Sequence, residues 1–303
     1  MLSSMLSKEF RKQSKGDKAF DIINYLILFL ILIAVFYPLY FIVIASVSDP
    51  AAVSRGDVWL IPKGFNIDGY KEIIKNKDIW MGYANSIKYT VIGTTINIVL
   101  TIPAAFALSR QELVGRKYIM GMITFTMFFG GGLIPTYLLV NKLGINNTMW
   151  ALLLPGAVSV MNLIVSRTFF MQNIPEELFE ASKVDGTSYF GFFFRIVLPV
   201  SKPIIAVMIL MYAVGHWNSY FNALIYIRDR ALYPLQVILR EILIQQESAA
   251  GMTQDAISAA EQQRLADMLK YGVIMVSSLP VLCMYPFVQK YFVQGMMIGS
   301  VKG

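Results

Sequence analysis

Apolar runs nearly free of charge alternate with polar breaks along the chain, and six of them are candidate helices crossing a hydrocarbon layer. Such a layer, about 30 Å thick, takes roughly 20 helical residues. The runs extend from about Tyr25 to Val47, Tyr83 to Leu108, Tyr118 to Leu139, Trp150 to Val165, Pro203 to Ile225 and Tyr271 to Phe292. The pattern predicts an all-α polytopic membrane protein with six transmembrane helices. A basic arm over residues 1–21 precedes the remainder, 22–303, which carries all six runs. The polar segments 48–80 and 228–270 are the expected outer ones. Within the second, Leu235, Ile238, Leu239, Ile242 and Leu243 recur at helical spacing and predict an amphipathic helix. A second surface helix is expected from Ala249 to Lys270.

Breakers interrupt several runs. Gly130, Gly131, Gly132 and Pro135 lie inside the third, Pro155 and Gly156 inside the fourth, and Pro280 and Pro286 are expected kinks in the last. Three glycines in a membrane helix are not there for helix propensity. They imply either close helix contact or an unwound stretch lining a cavity enclosed by protein.

The polar interruption at 173–199 has a local logic of its own. Pro175 suits a first helical position, and Glu176 and Glu177 then lie at the positive end of the helix dipole. Gly186 should end that helix in a left-handed cap, and Ser188 should cap a second one running through Phe192 to Leu198. Small residues at Ala181 and Ser182 would let another protein approach the backbone closely.

Composition sharpens this picture. The chain is 56% hydrophobic and 15% charged over 303 residues, too apolar for a soluble domain of that size. Its net charge of +7 is not a nucleic-acid signature. Lys8, Arg11, Lys12, Lys15 and Lys18 precede the first run, and Arg110, Arg116 and Lys117 fill a short loop, as the positive-inside rule expects. With six spans both termini share one side, which that rule makes cytoplasmic. The single cysteine, Cys283, excludes an internal disulfide and a cysteine-based metal site. No Walker loop, metal-spaced cluster or nucleophile beside a base is present, so neither catalysis nor nucleotide binding is expected.

The residues Glu180, Ala181, Ser182, Asp185 and Gly186, followed by Ile196, Leu198 and Pro199, resemble the signature loop of ATP-binding-cassette importer permeases. Ser182 stands where that signature has alanine. The run from Phe128 through Gly130-Gly131-Gly132 to Tyr137, the outer-loop motifs Ser46-Val47-Ser48-Asp49 and Ile61-Pro62-Lys63-Gly64-Phe65, and the glycine-rich tail 294–303 resemble the carbohydrate (maltose-type) class. The glycine run in particular resembles that class's complex-oligosaccharide branch. The resemblance implies a type I importer fold in the cell membrane and a loop that docks as a coupling helix on an ATPase. It further implies a second homologous permease, two ATP-binding subunits and an extracellular solute-binding protein. No cofactor is expected on this chain, ATP and Mg being used by the partner ATPase. In maltose-type members the tail reaches between the two ATPase subunits.

Solute-contact candidates cluster in the fifth run. Tyr212, His216, Trp217, Asn218, Tyr220 and Asn222 combine rings that stack on sugars with groups that hydrogen-bond hydroxyls, and Gly131 and Tyr137 join them from the third run. At helical spacing Tyr212, His216 and Tyr220 would share one face. An interfacial aromatic belt with polar helix contacts is the alternative reading. Rival functions are a permease for a non-sugar solute such as a peptide or amino acid, and an ion-driven secondary transporter. The latter usually places carboxylates inside its spans, and these runs hold essentially none.

Overall fold

The computed structural model describes residues 14–252, 269–284, 286 and 289. Among them every regular element is helical and no strand occurs. Most of the expected second surface helix, much of the basic arm and the glycine-rich tail lie outside the described residues. The described residues fall into two compact units, one up to Ile73 with residues from Gln246 to Met275, the other from Ile74 to Gln245 and from Val276 on.

In the first unit, α1 (Lys15–Ser46) starts ten residues before the expected span, because the Ser14 hydroxyl accepts from the Asp17 amide and caps it. Its middle is apolar on all sides and exposed in this chain, the pattern of a helix set in hydrocarbon or against another membrane chain. The segment after it folds back on its end. Tyr40 donates to the Leu60 carbonyl at 2.5 Å, and Tyr70 to Ser46 Oγ at 2.8 Å. Here the two outer-loop motifs find each other. The Asp49 amide donates to the Lys63 carbonyl, and the Lys63 amide to Ser48 Oγ. Asp49 caps α2 (Pro50–Ser54). Gly64, at φ +61°, passes so close that an added Cβ would lie 2.9 Å from Asp49 Cβ. A short helix, α3 (Asp68–Lys75), follows.

The second unit is built around α4 (Lys77–Ser109), which begins at an Asn76 cap before the expected Tyr83. The third apolar run is not one helix. It forms α5 (Arg116–Phe128) and α6 (Leu133–Lys142), bent by 113° across the glycines. Gly132 sits at φ +85°, and no neighbour lies within 4 Å of the site of an added Cβ at Gly130 or Gly132. Within this chain the glycines therefore unwind the run rather than admit a packed helix.

The fourth run is also broken, into α7 (Trp150–Leu153) and α8 (Val160–Asn173), with Pro155 and Gly156 between them. The interruption carries α9 (Glu176–Val184), after which α10 (Tyr189–Val200) turns by 79° into α11 (Lys202–Trp217). The fifth run then breaks at Asn218 and resumes as α12 (Phe221–Tyr226). The expected amphipathic helix is present as α13 (Leu235–Met252), with Leu235, Ile238 and Leu239 buried. The last run is described as α14 (Leu269–Met284).

Both α8 and α11 pack along α4. Their shared core holds Phe106, Phe170, Phe179, Phe192 and Phe193, with the rings of Phe106 and Phe193 5.2 Å apart. A small residue on α4 also admits α13: at Gly82 a Cβ would meet Ile238 Cδ1 at 2.7 Å and the Leu235 backbone at 3.0 Å.

Candidate functional site

The loop signature becomes two helices and a sharp turn. Pro175 is the N-cap of α9 rather than its first helical residue, and Glu176 and Glu177 occupy the first turn. Asp185 closes the helix and Gly186 follows at φ +71°, a conformation that costs glycine nothing. Ser188 Oγ accepts from the Gly191 amide and caps α10. The glycine turn and the Ser188 cap follow the local rules read from sequence, while the start of α9 is shifted by one residue.

The two faces of α9 differ. Phe179 and Ser182 are buried against the bundle, with the Ser182 hydroxyl donating to the Phe179 carbonyl at 2.7 Å. Glu180, Ala181, Val184, Asp185 and Gly186 are exposed. Ser182 therefore does not join Ala181 in offering close approach to another protein; a 100° step around the helix turns it inward.

The second half of the signature has a backbone explanation. Phe193–Val197 is a π turn, in which the Leu198 amide reaches back to the Phe193 carbonyl. A widened turn admits Pro199, which has no amide to donate and whose ring needs room. Ile196 and Leu198 pack on the phenylalanine core, while Pro199 is exposed. The 79° bend into α11 follows at Ser201.

Pairings not read from sequence fasten α9 in place. Arg110, at the end of α4, is buried and holds Glu176 at 2.5 Å. Glu112 takes a 2.8 Å bond from Lys183 and another from the Tyr189 hydroxyl. The Arg110 guanidinium and the Lys183 ammonium lie 4.5 and 4.3 Å from the centroid of the Phe179 ring. The hydrogen bond from Lys183 holds the Glu112 carboxyl below its ordinary range, and the same bond holds the lysine above its own. The sign of Arg110 was visible in sequence; its partner, 66 positions away, was not.

The fifth-run candidates do not form one face. α11 ends at Trp217, so Tyr220 is not the next turn of the helix carrying Tyr212 and His216. Instead Tyr212 is buried, its hydroxyl lying 2.7 Å from Thr101 Oγ1 and accepting from the Ser159 amide at 3.1 Å. His216 Nε2 lies 2.7 Å from Asn97 Oδ1, and Asn97 Nδ2 donates to the Ala157 carbonyl. Buried Trp217 donates its indole N–H to the Ser277 carbonyl at 2.9 Å and borders an apolar cavity of about 520 Å³ with Thr90, Thr94 and Ile209. These three side chains tie α4, α11, α14 and the break before α8 together.

Asn218 bonds the Val214 carbonyl, the Tyr220 ring carries the Arg240 guanidinium at 4.5 Å, and Asn222 is exposed. Gly131 lies exposed in the break between α5 and α6, while Tyr137 stacks on Tyr226 at 6.1 Å. Gly93, Asn97 and Thr101, all missed, recur every fourth residue along α4; that spacing was the available signal.

An all-helical bundle of broken apolar segments, with a short amphipathic helix exposed on a loop between two of them, defines an integral membrane transport subunit. Residues 79–243 match the family described as "Binding-protein-dependent transport system inner membrane component", and the chain belongs to that family. It is thus a multi-pass component of a transport system, not itself an enzyme.

The chain is 40% identical over 292 residues to Protein LplC of Bacillus subtilis, covering 96% of this chain and 97% of that one. It is also 40% identical to the polygalacturonan/rhamnogalacturonan transport system permease protein YtcP of the same organism, over 95% of this chain and 99% of the relative. Among solved structures it is similar to a crystallised bacterial ABC transporter involved in the import of the acidic polysaccharide alginate. There the TM-score is 0.81 and the identity 30%, covering 92% of this chain and 99% of that one. The fold is that of a type I importer permease.

Proposed function

We propose that this chain is one of two homologous permease subunits of an ATP-driven importer. It takes an oligosaccharide from an extracellular binding protein and releases it into the cytoplasm by alternating access. Both termini and α9 lie on the cytoplasmic side, in keeping with the basic loop at Arg110, Arg116 and Lys117. Of two ATPase subunits, which hold ATP and Mg, one receives α9 in a surface groove.

The observation that carries this reading is the division of α9 into a buried face at Phe179 and Ser182 and an exposed edge from Glu180 to Gly186. A helix so anchored on one side and bare on the other can pass a push from a soluble partner into the membrane. Glu180 is its polar contact and Gly186 its turn. The relatives' substrates, as their names give them, make saccharides the solute class and fragments of acidic polysaccharides the first to try. Of the solute-contact candidates only Tyr212 and Trp217 are buried; Asn218, Asn222 and Gly131 are exposed, and His216, Tyr220 and Tyr137 are half-exposed.

The test is ATPase stimulation of the complete complex in vesicles by its binding protein loaded from a panel of oligosaccharides, peptides and amino acids. Stimulation by a saccharide, lost in Glu180→Ala or Gly186→Val, is expected. Stimulation by a peptide or amino acid alone would remove the carbohydrate assignment and keep the machine.

A further inference from the structure

The chain connects α9 only to α8 and α10, yet the side chains fasten it to α4 as well. Arg110 at the end of α4 reaches Glu176 in the first turn of α9, and Glu112 in the following loop reaches Lys183 in its last turn. We propose that these two pairs form a clamp through which displacement of α9 is delivered directly into α4. The proposal deepens the docking reading of α9 and rests on it.

Position argues for transmission rather than for stability. Glu176 and Lys183 stand seven residues apart, about 10 Å along the helix axis at 1.5 Å per residue. A single pair would act as a pivot, whereas pairs at both ends of α9 resist rotation and sliding against α4. Between them the Phe179 ring lies against both cations, so neither can swing away without losing its aromatic contact. The Glu112–Lys183 pair is nearly half exposed, at 41% and 48%, and such pairs contribute little to stability. Its value is geometric.

The receiving end is stiff. Arg116 Nη1 donates to the Ser109 and Arg110 carbonyls, and Arg167 Nε to the Leu108 carbonyl, so the last turn of α4 is held from two sides. Further along, α4 meets α11 through Asn97–His216 and Thr101–Tyr212. A push on α9 thereby reaches the middle of the bundle without passing through the π turn of α10.

The test uses the whole transporter with Cys283→Ser, carrying one nitroxide label at Val99→Cys on α4 or at Val184→Cys on α9, both exposed positions. Spectra are taken before and after ATP with vanadate. With the clamp intact both labels should respond. In Glu112→Lys, Lys183→Glu and Arg110→Gln the Val99 response should fall several-fold while the Val184 response persists. The surface swap Glu112→Lys/Lys183→Glu should restore it, and because those two residues are exposed, the test does not depend on Arg110 variants folding. An unchanged Val99 response in all variants, or none with the clamp intact while Val184 responds, overturns the proposal. Silence at Val184 itself would overturn the docking reading and the clamp with it.

Discussion

Gly93 sits where α4 crosses α11, and an alanine there tests whether the polar contacts of the bundle core hold the two helices. An added Cβ would lie 2.4 Å from His216 Nε2 and 2.5 Å from its Cε1. The imidazole must move, and it cannot do so while keeping its 2.7 Å contact with Asn97 Oδ1. Overpacking of this kind costs about 1–3 kcal/mol. A lost hydrogen bond between membrane helices adds about 0.6 kcal/mol on average and up to ~1.7. Opposing both, alanine is favoured over glycine inside a helix by about 1 kcal/mol. The net expectation is a loss of roughly 1–4 kcal/mol, opposite in sign to the effect of the same change on a free helix surface. Reversible unfolding in mixed micelles against rising SDS, followed by tryptophan fluorescence, reads it. In a His216→Ala background the overlap is absent, and Gly93→Ala should become neutral or stabilising by up to ~1 kcal/mol. If Gly93→Ala matches the wild type in both backgrounds, the close approach does not govern this crossing.

Three further outcomes follow. Gly186→Val places a β-branched residue at φ +71°, at a local cost of about 1–2 kcal/mol; basal ATP hydrolysis should continue, without stimulation by the loaded binding protein, while uptake falls and membrane insertion is unchanged, and normal uptake would refute the role of the turn. Tyr212→Phe removes the hydroxyl shared by Thr101 and the Ser159 amide and should destabilise by about 1–3 kcal/mol, with clear non-additivity in a cycle with Thr101→Val; additive losses would show the contact is not made. Glu112 contributes above its unfolded carboxylate pKa and loses that contribution as pH falls through its lowered folded value, while Lys183 contributes below its unfolded pKa and loses it as pH rises through its raised one. The pair should therefore hold unchanged from about pH 5 to 9, and the effect of Glu112→Gln on the Val99 label should be equal at pH 6 and pH 8; a difference would mean another group carries the contact.

Where an element ends was legible wherever the cause is local. Pro175, Gly186 and Ser188 bound α9 and α10 because a cap or a left-handed turn depends on residues within one helical turn. The apolar face of α13 was legible for the same reason, being a repeat along one strand of sequence. The break in the fifth run was not. The nearest breaker, Gly215, stays inside the helix; α11 stops where the Asn218 side chain takes the Val214 carbonyl and the Trp217 indole is held by Ser277, sixty residues on.

The sequence by itself determined the membrane setting, the apolar runs and the turn and caps of the signature loop, because hydropathy and backbone freedom belong to residues and their near neighbours. Only the tertiary structure decided which polar groups meet. Asn97 and His216 stand 119 positions apart, and Arg110 and Glu176 stand 66 apart. Nothing at either end of such a pair names the other, since in hydrocarbon or a packed core any polar group requires some partner. Which partner it meets follows from how closely α4 lets its neighbours approach, and at Gly93 that distance is fixed by a missing side chain.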